Sequence, residues 1–259
     1  MRTVHFCMTV VTVAVLMMSF ATTTARADWD PVYDSTGKII NHKMHYPQLP
    51  DPQGWDVNAT WPKVLADDWK CSQTGPVNDI HFWGSWRYDQ QYPISSIRVS
   101  IHSDIPATPD QHSRPGELLW ARDFLPGEFS YRPWGTGPQG WYDPNTGEYY
   151  RPDHFGIWQY NIVDIPQPFY QELGKIYWLD ISVRLPAGVP PWWGWKTSRD
   201  HFNDDAVWTD YGLPTLPWRE LRDPIMQESL DLAFVITPEP AGLLMLAGLG
   251  GLALLRRRR

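Results

Sequence analysis

Proline recurs so densely between residues 31 and 240, 25 times in all, that no long helix can be threaded through this stretch. Each proline removes a backbone donor and clashes with the preceding helical turn, so the chain must be built from short extended runs joined by fixed turns. The runs are visible as period-two patterns. Ile80, Phe82, Gly84 and Trp86 alternate with His81, Trp83 and Ser85, and Ile97, Val99 and Ile101 alternate with Arg98, Ser100 and His102. Trp158, Tyr160 and Ile162 repeat the pattern, as do Tyr177, Leu179, Ile181 and Val183, and Leu230, Leu232, Phe234 and Ile236. Such alternation predicts half-buried strands of antiparallel type. Turn chemistry lies between them, at Asp34-Ser35-Thr36-Gly37 and at Asp143-Pro144-Asn145-Thr146-Gly147. The expected fold is all-β, an antiparallel β-sandwich of jelly-roll kind, with one or two helical turns near residues 166–173. Residues 61–237 form that domain, and the Pro- and Tyr-rich residues 28–60 read as a loosely attached N-terminal extension.

The two ends carry addresses. Arg2 and His5 precede an apolar stretch from Val10 to Phe20, and small residues end in Ala25-Arg26-Ala27. This is the pattern of a signal peptide over residues 1–27, cleaved before Asp28. Residues 238–259 comprise Pro238-Glu239-Pro240, a 15-residue apolar run from Ala241 to Leu255, and Arg256, Arg257, Arg258 and Arg259. As a helix that run covers about 22 Å against about 30 Å of hydrocarbon, so the expectation is a short transmembrane helix and a marginal anchor. The arginines would hold its end on the cytoplasmic side.

Motif, apolar run and arginine cluster together resemble the PEP-CTERM sorting signal of bacterial exported proteins. The resemblance implies an exosortase-type processing enzyme as partner and transient residence in the inner membrane. It implies delivery to the cell surface or its polysaccharide matrix. A second resemblance rests on Leu65-Ala66-Asp67-Asp68-Trp69-Lys70-Cys71, Asp79-Ile80-His81-Phe82-Trp83-Gly84-Ser85-Trp86, Gly194-Trp195-Lys196-Thr197-Ser198 and Asn203-Asp204-Asp205-Ala206-Val207-Trp208. Over about residues 60–237 the chain is similar to an uncharacterised family of bacterial secreted domains, to which no activity is attached.

Over residues 28–240, 29 acidic residues face 16 basic ones, a net charge of −13. Phosphate is repelled by such a surface, which sets nucleic acid aside as a partner. Cys71 is the one cysteine in this part, so no internal disulfide staples it, and it reads as a small buried hydrophobe.

Three kinds of residue could carry function. The tryptophan clusters come first, because aromatic faces stack on the apolar faces of sugar rings. Trp83, Trp178, Trp192, Trp193 and Trp195 are the glycan-contacting candidates, and core filling is the competing reading of the same residues. Asp68, Asp204 and Asp205 are candidates for a structural Ca²⁺, which takes six to eight oxygens from flexible loops; no other cofactor is expected. Glycosidase chemistry needs two carboxyls across a sugar, but with 29 acidic residues such a pair carries little information. No H-E-x-x-H, G-x-S-x-G, P-loop or dinucleotide pattern is present, so no catalytic residue is assigned. The expected function is that of an exported, non-catalytic surface or matrix protein, structural or glycan-contacting. The alternative is a secreted polysaccharide hydrolase or lyase.

Overall fold

The computed structural model describes residues 28–213 and 215–237; the signal-peptide residues Ala25 and Ala27, the Pro238-Glu239-Pro240 motif and Arg256–Arg259 lie outside them. The described residues form fifteen strands. In chain order the first eight are β1 (Trp55–Asn58), β2 (Lys63–Lys70), β3 (Gly75–Pro76), β4 (Asp79–Trp86), β5 (Ser96–Ile105), β6 (Arg114–Phe124), β7 (Ser130–Asp143) and β8 (Glu148–Ile162). The rest are β9 (Tyr170–Gln171), β10 (Ile176–Arg184), β11 (Trp193–Ser198), β12 (Val207–Asp210), β13 (Arg219–Glu220), β14 (Asp231–Leu232) and β15 (Phe234–Thr237).

The alternating runs fall in β4, β5, β8, β10 and the β14–β15 pair, so period two located the strands. Both turns are as expected. Gly37 N donates to Asp34 O and Gly147 N to Asp143 O, the second closing the β7–β8 hairpin.

Two sheets stack on one core. The six-stranded sheet runs β13-β12-β2-β10-β5-β6 and the seven-stranded sheet β14-β11-β1-β7-β8-β4-β15. Leu65, Ile97, Val99, Leu179 and Ile181 from the first meet Phe82, Tyr160, Trp193 and Trp195 from the second in a single buried cluster. Each large apolar side chain so buried contributes about 1.5–3 kcal/mol.

The larger sheet departs from an antiparallel jelly roll in two ways. β1 runs parallel to β7, and β11 pairs β4 as well as β1. Strands β1, β7, β8, β4 and β11 therefore close into a five-membered ring, which removes their exposed edges. Closure demands close approach. A Cβ on Gly84 would sit 2.5 Å from the Trp193 ring, and one on Gly194 would sit 2.9 Å from the Asp56 backbone.

Three expectations are overturned. Among the described residues no helix is long and apolar enough to cross a membrane, and residues 238–259, where a transmembrane helix was expected, lie outside the described part. The 15-residue run is in any case too short for the hydrocarbon layer. No helical turn forms at residues 166–173, because Gln167 takes a left-handed φ of 54° between two prolines. Residues 28–60 are not loosely attached: they supply β1 inside the ring and bury Trp29, Met44 and Gln48.

Candidate functional site

The ring encloses charge. Asp56 (β1), Gln139 and Trp141 (β7), His154 (β8), Ser85 (β4) and Lys196 (β11) are all buried, and all five strands contribute. Lys196 Nζ donates to Asp56 Oδ2 at 3.0 Å and His154 Nε2 lies 2.8 Å from the same oxygen. His154 Nδ1 meets Asp153 at 3.1 Å, Asp153 meets Arg87 at 3.2 Å, and Arg87 reaches Glu148 at 3.5 Å. Cation and anion thus alternate from the sealed interior to the surface. Burial works against the charged His154, but Asp56 and Asp153 together outweigh it and hold the imidazole at about 9. Burial would raise the Asp56 carboxyl, and Lys196 with His154 keeps it below its ordinary range instead. Asp56, His154 and Lys196 are inaccessible to a substrate, so this chain of ions is a device for holding strands together.

The accessible chemistry is aromatic. A cleft of about 480 Å³ opens between the end of β4, the Leu125–Glu128 turn and β8. Trp86 and Tyr160 form its buried floor, locked by a Trp86 Nε1 to Tyr160 Oη hydrogen bond of 3.2 Å. Tyr131, 52% exposed, and Tyr92 form the walls, with Pro93, Pro126 and Phe129 completing them. Tyr131 lies 5.6 Å from Tyr160, and Tyr92 lies 5.9 Å from Trp86. Trp192 extends the rim, 6.3 Å from Tyr92 and 5.2 Å from the exposed Tyr88. No carboxyl or cationic group lines this cleft.

The rim is held under strain. Tyr88 and Asp89 both take left-handed φ, 57° and 55°, which for a bulky Tyr costs of order 1–3 kcal/mol. The compensation is local: Asp89 Oδ1 accepts the Gly156 amide at 2.7 Å, and Arg87 anchors to Asp153. The strained segment faces Trp192, whose ring lies 5.2 Å from that of Tyr88.

Of the five candidate tryptophans, only Trp192 reaches the surface. Trp83, Trp178, Trp193 and Trp195 are fully buried, so they cannot present a face to a sugar. Alternation placed Trp83 outward from Phe82, and it does point to the far face of β4. That face is covered by Trp29 at 5.8 Å and Trp134 at 5.1 Å, contributions from distant segments. Trp178 lies beneath Trp218 and donates to Asp104 at 2.9 Å. Tyr92 and Tyr131, which do line the cleft, were missed because nothing in their local pattern separates a cleft wall from a covered face.

The calcium candidates divide. Asp204, Asp205 and Glu220 place carboxyl oxygens within 4.8 Å of one another. Arg222 already bridges Asp205 at 2.6 Å and Glu220 at 3.0 Å. Both Asp204 oxygens are taken, by Ser113 and by the Asp205 amide. This donor set does not fit a calcium ion, which would need those oxygens free. Asp68 stands apart from the trio, accepting the Asn203 amide at 2.5 Å. Burial pushes its carboxyl up to about 8, and burial pushes Asp231 up to about 6.

A second, polar cleft of about 450 Å³ contains Arg151, Arg199, His201, Asp223 and Asp231. Ser229 Oγ and Asp231 Oδ1 lie 3.3 Å and 2.9 Å from the same His201 nitrogen, Nδ1. A nucleophile relay needs them on opposite ring nitrogens, so this trio cannot work as one. Asp223 is committed to Trp55 Nε1 and to backbone amides. Cys71 is buried, as expected, and burial raises its thiol.

Residues 44–237, about three quarters of the chain, match the family described as a domain of unknown function (DUF7901), and the chain belongs to that family. The match begins upstream of the expected residue 60, consistent with the structural part that residues 44–60 play. No curated protein and no solved structure matches.

Proposed function

We propose that this DUF7901 protein is an exported, non-catalytic component of the cell surface or its matrix that contacts glycans through the Tyr92–Tyr131 cleft. The observation that supports the reading is a surface cleft walled by aromatic rings and free of carboxyl and cationic side chains. Sugar rings present apolar C–H faces to aromatic rings, while glycoside hydrolysis requires two carboxyls at the bond to be cut. The carboxyls with raised pKa, Asp67, Asp68, Asp104, Asp205 and Asp231, lie elsewhere and are held in internal hydrogen bonds or ion pairs.

Export through residues 1–27 and a PEP-CTERM-like sorting signal at residues 238–259 complete the reading, with an exosortase-type enzyme as processing partner and extracellular polysaccharide as destination. A glycan array with the purified exported protein tests the cleft. Binding to a subset of glycans, lost in Tyr131→Ala, is expected; no binding at high protein concentration overturns the adhesive reading. Replacing Pro238-Glu239-Pro240 by alanines should leave the chain unprocessed, and normal processing of that variant would refute the sorting signal.

A further inference from the structure

Next to the aromatic cleft lies a second one of about 310 Å³, lined by Arg122, Phe124, Glu128, Ser130, Asn161 and Asp164. The two share Gly127 and Phe129, so they are halves of one groove that passes over the Leu125–Glu128 turn. Both volumes lie within the range of about 300–1,000 Å³ usual for ligand sites.

The turn between them is built to stay put. Pro126 and Gly127, the latter at φ 97°, occupy the central positions, and Glu128 N donates to Leu125 O at 2.9 Å. That is type II geometry, in which glycine supplies the positive φ without cost. The Glu128 side chain then clamps the turn from outside, accepting Leu125 N at 2.9 Å and Arg122 Nη2 at 2.5 Å. A wall already rigid before binding loses little entropy when a ligand arrives.

The halves differ in chemistry. The first offers ring faces. The second offers polar groups, with Arg122 and Glu128 neutralising each other and Asp164 adding an exposed carboxylate. Hydroxyls can exchange hydrogen bonds with such a pair, whereas an anionic sugar would meet Asp164 and a chain carrying −13 over residues 28–240.

We propose, building on the glycan reading above, that the groove holds successive units of one uncharged polysaccharide, a ring stacked at Tyr92 and Tyr131 and the next units lying across Gly127 toward Arg122 and Glu128. A free monosaccharide fills only one half. A polyuronate is disfavoured by charge.

Calorimetric titration of the exported protein with neutral oligosaccharides (gluco-, manno- and xylo-series, from one to about six units) and with uronate oligomers tests this. Affinity for at least one neutral series should rise about tenfold or more with length, and uronates should bind at least about tenfold more weakly at low salt, the gap narrowing as salt screens the charge. Tyr131→Ala should weaken every length. Glu128→Gln and Arg122→Gln, with melting temperature measured as the check on folding, should weaken the longer oligomers more than the single sugar. Length-independent affinity, tighter uronate binding, or unchanged long-chain affinity in both clamp variants overturns the two-part groove while leaving the glycan reading standing. No binding of any glycan by the wild-type protein overturns both.

Discussion

The ring interior and the aromatic cleft are near neighbours, joined through Arg87, yet they are opposites in chemistry. The ring holds Asp56, His154 and Lys196, the residue types from which active sites are made, and seals all three from solvent. The cleft is open and lined by rings and prolines, with Gln91, Ile94 and Gly127. In this pair of regions, the groups with acid–base chemistry are sealed into the architecture and the accessible walls are aromatic. Identity of side chains therefore misleads about function unless accessibility is known. An ion pair under strands can hold a ring closed; an uncharged aromatic wall can hold a sugar without attacking it.

The largest effect should come from breaking the sealed side. Asp56→Ala leaves Lys196 and His154 buried without their shared counter-charge, and removing one member of a buried ion set costs about 3–5 kcal/mol. Chemical denaturation should show that loss while glycan affinity of the folded fraction stays put. A cost below about 1 kcal/mol would mean the ring interior is not the strand-holding device described.

The next effect is in pH. His154 is protonated up to about 9 in the fold and only to about 6.5 when unfolded. Its contribution, roughly 3 kcal/mol, is therefore fully present below pH 6.5 and lost as pH rises through 9. Asp68, held near 8, and Asp231, held near 6, also favour the fold more at lower pH, since the folded state keeps their protons. Burial lowers Lys196, which acts in the opposite sense on the alkaline side. Burial holds His45 near 3 and His81 near 4, so stability also falls as pH drops from 6.5 toward 4. Melting temperature against pH should be a dome peaking near neutrality or slightly below, and His154→Gln should flatten its alkaline limb. An unchanged limb in that variant would assign the alkaline loss to other groups.

The smallest effect on stability should come from the open side. Tyr131→Ala removes a ring that is 52% exposed, and should cost about 1 kcal/mol or less. Its glycan affinity should fall about tenfold, some 1.4 kcal/mol. A stability loss as large as that of Asp56→Ala would erase the distinction between the two regions.

Several parts of this division were legible in the chain. Alternation at 80–86, 97–101 and 177–183 reported strands because a pleated backbone sends successive side chains to opposite faces. Asp143 to Gly147 reported a hairpin because its turn chemistry is local. Alternation could not say which face of β4 meets water, since Trp29 and Trp134 arrive from remote positions to cover Trp83. It could not show the ring either. β1 and β11, separated by more than a hundred residues, pair Asp56 with Lys196 only once the strands are assembled.

The sequence by itself determined an all-β domain without long helices, its main strands and turns, and a strongly acidic composition, because proline, period two and charge act locally or additively. Tertiary structure alone decided ring closure, the burial of Trp83, Trp178, Trp193 and Trp195, the filling of the carboxylate trio by Arg222, and the cleft between Tyr92 and Tyr131. Those outcomes depend on which distant segments cover a face, a property of the packed chain and of no single stretch of it.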